Sequence, residues 1–500
     1  MHLIHPHDHS RRAFLRRSAQ LAFTGAALPT ALNLAAMGEA AAFNATDYKA
    51  LVCVFLLGGN DYGNTVVNYD DASYNEYNRI RGGVTASQGA GGIALAKSAL
   101  LPLGNTLLDA GRQYAFHPKM TGLKSLYDAG QVAVQLNVGP LVVPMNRDQY
   151  FATNRNIYPL PPKLFSHNDQ QSLWQSSSPE GSTIGWGGNI GDLALSGNSG
   201  SSTFTCISVT GNAVFLAGDN ALSYQVSTGG AVKINSASDQ YTYGSKFIKE
   251  AMLNVTQQAR GHVLENEYNI VTKRAISAEV SITAGLNTGD ATDANDNPTN
   301  PKFAGFTKAM LDSNPLAPQL KMVARLIAAR NSLGPKRQVF FVSMGGFDNH
   351  DNLLTDHDKN LARVSDAMSA FYSATKALGI DTSVTAFTAS DFGRSLSSNG
   401  DGSDHGWGSH HMVVGGAVKG GKIYGYAPPV GAGYTANPED AWHVGQGRLL
   451  PTTSVDQYAA TLATWFGVQD NELNGILPNL PNFKEQTQSG IIYPRTVGFV

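Results

Sequence analysis

The chain has 500 residues, of which 42% are apolar and 15% charged, and a formal net charge of −2. Apolar content on this scale builds a substantial core and excludes a disordered chain, while the low charge and 53 glycines exclude a coiled coil. No Lys/Arg-rich run lies outside the N-terminus, which argues against a nucleic-acid-binding face.

The stretch Ser10-Arg11-Arg12-Ala13-Phe14-Leu15-Arg16 matches the twin-arginine export pattern. A weakly apolar run, Ala19 to Met37, follows it, and Ala40-Ala41-Ala42 offers a small-residue cleavage site. Thr24, Gly25, Pro29 and Asn33 interrupt that run, so residues 1–42 read as a cleaved signal rather than a permanent membrane span. The bland alternative is a basic arm on a cytosolic protein. The expectation is a periplasmic or secreted protein that engages the twin-arginine translocation machinery, with residues 43–500 as its body. There are two cysteines, Cys53 and Cys206. Cys53 lies in a strand-like apolar run and reads as a buried free thiol; an oxidising compartment leaves a single disulfide open.

Lys49 to Leu57 is a nearly continuous apolar run of the kind that parallel strands buried on both faces show. His117 to Ala129 reads as a short helix and Gln131 to Val138 as the next buried strand, a β–α–β beginning. Leu164 to Gln171 is expected as a loop entering a short helix that Ser166 or Asn168 caps. Short β-like runs separated by glycines fill residues 197–242, and Ser245 to Ile282 is a long helical stretch before a polar linker. Residues 195–300 are therefore expected to form an inserted cap. Leu316 to Ser332 has helical spacing and stops at Gly334-Pro335. Gln338 to Ser343 is the third strong strand, His357 to Leu378 another helix, and Val384 to Thr388 a further buried strand. Met412 to Val414 is a short apolar run after it. Ser454 to Phe466 is a helix with a Ser454/Gln457 capping box.

Three strand-like runs end alike. VFLLGGND places Asp61, VFFVSMGGFDNH places Asp348 and His350, and VTAFTASDFG places Asp391. If the strands are parallel, the carboxylates share one edge of the sheet, where such sheets place their chemistry. His405 can join from the following loop, with Asp404 as its partner. Of 13 histidines, five (His350, His357, His405, His410 and His411) crowd between residues 350 and 411. Asp and His without thiolates suit Zn²⁺, Mn²⁺, Mg²⁺ or Ca²⁺, so a divalent metal ion is the expected cofactor. Each aspartate taken alone could instead cap a helix or a glycine turn. His357, His410 and His411 read as structural or solvated. The nucleophile is the hardest role to fill. Ser166, beside His167 at a helix N-terminus, is the first candidate and Thr65, shortly after Asp61, the other; a plain N-cap is the alternative for Ser166, and His167 is open to a role as a ligand or substrate contact.

The twin-arginine start together with FLLGGND, FSHNDQQ, GGFDNH, SDFGR and DHGWG…GGAVKGGKIYG resembles the domain-of-unknown-function family DUF1501, over about residues 48–470. That family is placed in the alkaline phosphatase/sulfatase-like superfamily. The resemblance implies an α/β/α sandwich with a mostly parallel central sheet and Asp/His metal ligands at strand ends. It implies that Asp61, Asp348, His350, Asp391 and His405 hold metal. It also implies a metal-dependent hydrolase of phosphate or sulfate esters, acting on a small-molecule or envelope ester. Two departures stand out: Phe392 occupies the place of a superfamily histidine, and Asp348 and His350 are closer in sequence than in phosphatases. A non-catalytic exported binding or assembly protein on the same fold is the alternative.

Overall fold

A computed structural model describes residues 46–82, 92–104, 108–198, 203–234, 240–287, 291 and 300–500. The signal-like segment 1–42 lies outside the described residues. The centre is a ten-stranded sheet built from β1 Lys49–Leu56, β2 Val132–Gly139, β3 Cys206–Ser208, β4 Tyr224–Ser227, β5 Gly230–Ala231, β6 Arg337–Met344, β7 Val384–Ser390, β8 Ser409–Gly415, β9 Lys422–Tyr424 and β10 Thr453–Ser454. The spatial order is β9-β2-β8-β7-β1-β6-β3-β4-β5, with β10 beside β2. Six of the pairings are parallel; β8 runs antiparallel to both its neighbours, and β5 is antiparallel to β4.

Alternation along β1 sorts side chains to two faces. Ala50, Val52, Val54 and Leu56 join a core with helices α1 Thr121–Asp128, α6 Ala317–Ala328 and α7 Leu353–Ala377. Leu51, Cys53 and Phe55 join the other core, with α2 His167–Ser176, α3 Trp186–Ala194 and α8 Val455–Phe466. Each fully buried Leu, Val or Phe contributes roughly 1.5–3 kcal/mol, and β1 accordingly carries almost no polar residue. The result is the α/β/α sandwich that the family resemblance implied. The capping box at Ser454 and Gln457 forms. Cys53 and Cys206 are both buried free thiols.

The segment read as an inserted cap divides in two. Its first strands, β3 and β4, extend the central sheet beyond β6. Only its second part, α4 Lys246–Gln257 and α5 Val263–Leu286, stands as helices outside that sheet. Among the described residues, no helix is long and apolar enough to cross a membrane.

Candidate metal centre

Strand register brings the site together. β1 pairs in parallel with β7 and with β6, so that Leu56 stands level with both Ser390 and Met344. The three loops leaving these strands therefore emerge side by side. Leu57 N–H donates to Met344 O (3.0 Å) and Phe347 N–H donates to Leu57 O (3.2 Å), which ties the first two loops. Gly58 has φ +117°, and a Cβ there would lie 2.4 Å from Asp348 N, so the approach of these loops needs glycine. A Cβ at Gly402 would likewise meet His350 O at 2.1 Å.

At this edge five side chains converge. His167, the first residue of α2, places Nδ1 2.7 Å from Asp391 Oδ2 and Nε2 3.1 Å from His405 Nε2. His350 Nε2 is 3.0 Å from His405 Nε2 and 3.1 Å from Asp348 Oδ1. Asp348 lies 3.3 Å from His405 Nε2 through Oδ1 and 3.4 Å from His167 Nε2 through Oδ2. His167, Asp348 and His405 form a group in which one ligand atom from each lies within 4.8 Å of the others.

The hydrogen-bond partners fix the tautomers. Asp391 Oδ2 can only accept, so Nδ1 of His167 carries the proton. His405 Nδ1 faces the carbonyl of Phe165 at 2.8 Å and must donate as well. Rings so held, when neutral, turn two Nε2 lone pairs toward each other beside a carboxylate, and His350 Nε2 is the neighbouring nitrogen that can donate to them. Lone pairs aimed at one point repel unless a proton or a cation lies between them. Metal-ligating histidines are oriented in this way by a carboxylate or carbonyl on the other ring nitrogen. Two ligands at zinc distances in a tetrahedral array lie about 3.3–3.4 Å apart, close to the separations in this cluster. The donor set therefore fits a divalent cation, with His167, His405 and Asp348 as its holders and His350 beside them.

The surroundings support the cluster. Arg394, fully buried, donates from Nη1 to Asp348 Oδ1 at 2.6 Å and to Gly58 O at 3.1 Å. Burial pushes the Asp348 carboxyl up, but the hydrogen bond and charge of Arg394 override it and leave the group below its ordinary value. The hydrogen bond to Asp391 raises His167, whereas burial lowers His405. Gln171, one turn after His167 on the same face of α2, donates to Asp391 Oδ2 at 2.9 Å, and Gly58 N–H donates there at 3.2 Å. Among the described residues, nothing donates to Asp391 Oδ1, which is buried. The Phe392 ring packs on both imidazoles, with centroids 4.8 Å from His167 and 4.7 Å from His405. Phe165 holds its carbonyl toward His405 with φ +73°, a strained backbone of the kind that gathers at working sites.

Several expectations need correction. Asp61 is not brought into the cluster. Its carboxylate is buried against Arg81, with Nη1–Oδ2 at 2.6 Å and Nη2–Oδ1 at 2.7 Å, and it caps Tyr62–Thr65 through Gly63 N–H. Burial raises its pKa, and Arg81 outweighs that to give a net lowering. Asp391 stands behind His167 rather than among the converging atoms. Asp404 approaches His350 Nδ1 (3.6 Å) and not His405, whose Nδ1 is taken by Phe165. The Ser166 hydroxyl donates to Asp169 Oδ2 at 2.8 Å, so its hydrogen bond points along its own helix start. His357, His410 and His411 are, as expected, structural: they are buried and hydrogen-bonded away from the cluster. Arg394, Gln171 and Phe165 do not stand out in the sequence. An arginine three residues after Asp391 and a glutamine four after His167 are the only local signals for the first two.

Among solved structures, Ps i-CgsB in complex with k-i-k-neocarrahexaose is 9% identical with a TM-score of 0.29, over 88% of this chain and 78% of that one. A mutant of the alkaline phosphatase PafA is 13% identical with a TM-score of 0.26, over 70% of this chain and 64% of that one. Scores this low transfer neither residue roles nor activity. No curated protein matches the chain. Residues 48–477 match the family described as "Protein of unknown function (DUF1501)", a span that holds all five converging side chains, and the chain belongs to that family.

Proposed function

We propose that the protein is an exported metal-dependent hydrolase of phosphate or sulfate esters. The observation that carries the proposal is the convergence of His167 Nε2, His405 Nε2 and Asp348 on one spot, with both imidazoles held in the ligating tautomer. The ester class rests on the resemblance of the Asp/His motifs to the alkaline phosphatase/sulfatase-like superfamily, and export rests on the twin-arginine segment. A bound divalent cation supplies Lewis acidity toward an ester oxygen and lowers the pKa of an attacking hydroxyl or water. The chain's own residues do the rest. Asp391 holds the proton on Nδ1 of His167, and Phe165 holds that of His405. Arg394 keeps Asp348 ionised, and Phe392 excludes water from one side.

Metal content by mass spectrometry of the purified protein and of His405→Ala, with phosphomonoester, phosphodiester and sulfate ester assays, tests this. Stoichiometric metal lost in the variant, with turnover of one ester class, is the expected result; a metal-free parent protein sinks it. One observation favours a second reading, a non-catalytic binding protein: the Ser166 hydroxyl is committed to Asp169. Full metal with silence on every ester supports that reading.

A further inference from the structure

Helix α5 carries an apolar row at alternating spacings of four and three: Leu264, Tyr268, Val271, Ala275, Ala278 and Ile282. Such spacing puts all six on one face. The C-terminal part of the row is buried, with Ala278 at 2% and Ile282 at 0% exposure. Upstream the same face lies open, with Leu264 at 75%, Tyr268 at 70% and Val271 at 42% exposure. One continuous seam is thus half core and half surface, and a contiguous exposed seam of large apolar residues marks an interaction site.

The charges flanking the open half say what covers it. Glu267 and Arg274 bracket Ile270-Val271 as Glu-x-x-Ile-Val-x-x-Arg. The helix neighbours three and four away from Glu267 are Val263, Leu264, Ile270 and Val271, all apolar. Those of Arg274 are Ile270, Val271, Ser277 and Ala278, so neither charge has an opposite charge within one turn on its own helix. Among the described residues, neither side chain forms an ion pair or hydrogen bond with another element. The motif reads as its own complement when reversed. In an antiparallel pair of these helices the seams mesh, with Tyr268 opposite Val271 and Leu264 opposite Ala275 of the other copy. Glu267 then meets Arg274, twice by symmetry. Two-fold interfaces are self-complementary in this sense.

We infer that the exposed half of α5 is a homodimer interface, in which a second copy of this chain lays its own α5 antiparallel across the seam. Because the buried half anchors each helix to its own body, antiparallel pairing puts the two bodies at opposite ends of the contact.

Sedimentation velocity of the purified protein over a micromolar concentration series tests it. The parent protein is expected to dimerise. Glu267→Arg and Arg274→Glu, each alone, place like charges opposite one another and weaken the dimer by about tenfold or more. Mixing the two variants pairs opposite charges again and restores dimers, as heterodimers, which a folding defect in either variant could not do. A monomeric parent protein, single variants that dimerise like the parent, or a mixture that stays monomeric would each overturn the inference.

Discussion

His167 and Asp391 are 224 residues apart in sequence and 2.7 Å apart in space, and the buried carboxylate decides which ring nitrogen of the histidine is free. Asp391 also takes Gln171 Nε2 and Gly58 N–H on the same oxygen, so it cannot turn away. A rigid acceptor behind Nδ1 makes Nε2 the lone-pair end. The sheet edge therefore holds one well-oriented imidazole before any ligand arrives.

Asp391→Asn keeps the shape of the side chain and can reverse the tautomer, because an amide offers donors where the carboxylate only accepts. Loss of such an outer partner typically lowers metal affinity by about 10–100-fold. Equilibrium dialysis against a graded zinc series should show that loss with the fold intact. Unchanged affinity would mean that Asp391 does not set the ligating nitrogen of His167.

His405 and His350 should differ. His405 belongs to the mutually close group with His167 and Asp348, whereas His350 meets only its edge. The His350 side chain is also more exposed, 42% against 26%. His405→Ala is expected to lose the metal outright, and His350→Ala to keep stoichiometric metal with weaker retention on dialysis. Equal loss in both would make His350 a full ligand.

Arg81→Met probes the aspartate that the cluster does not use. The pair with Asp61 is buried, with side-chain exposures of 0% and 1%, so removing the arginine leaves a desolvated carboxylate uncompensated. Breaking such a pair costs about 3–5 kcal/mol. Chemical denaturation should show a drop of that order, while metal content per folded molecule stays at the parent level. Metal loss at unchanged stability would return Asp61 to the site.

The sheet was legible because β1 is a nearly continuous apolar run and β2, β6 and β7 are rich in apolar and β-branched residues. The three parallel strands β1, β6 and β7 follow from that pattern, and with them the shared edge carrying Asp348, His350 and Asp391. Asp61 misled because FLLGGND has the same form as the other two motifs. Its fate depended on Arg81, twenty residues on, and nothing local marks that arginine as buried. His167 was visible as a polar residue at a helix start, but its pairing with Asp391 is a tertiary fact. Likewise, β3 and β4 looked like part of a cap because short strands at a sheet edge carry too few apolar residues to declare which sheet they join.

Four of the five histidines buried outside the cluster are lowered far enough by burial that stability should fall on mild acidification. Burial lowers His357, His410 and His411 to about 3 and His117 to about 4, the last despite Asp358 beside it. These groups stay neutral in the folded chain, whereas the unfolded chain protonates them near pH 6.5. Below that value the unfolded state binds more protons, so stability falls as pH falls, and it keeps falling until the folded pKa is reached. Each group can withdraw up to about 1.4 kcal/mol per pH unit in that window. Denaturant midpoints measured between pH 7.5 and 5 should therefore decline with acid at unchanged m-value. His410→Gln removes one of the four titrations and should flatten the decline. Midpoints that hold constant across that range would mean these rings are protonated, or solvated, in the folded protein.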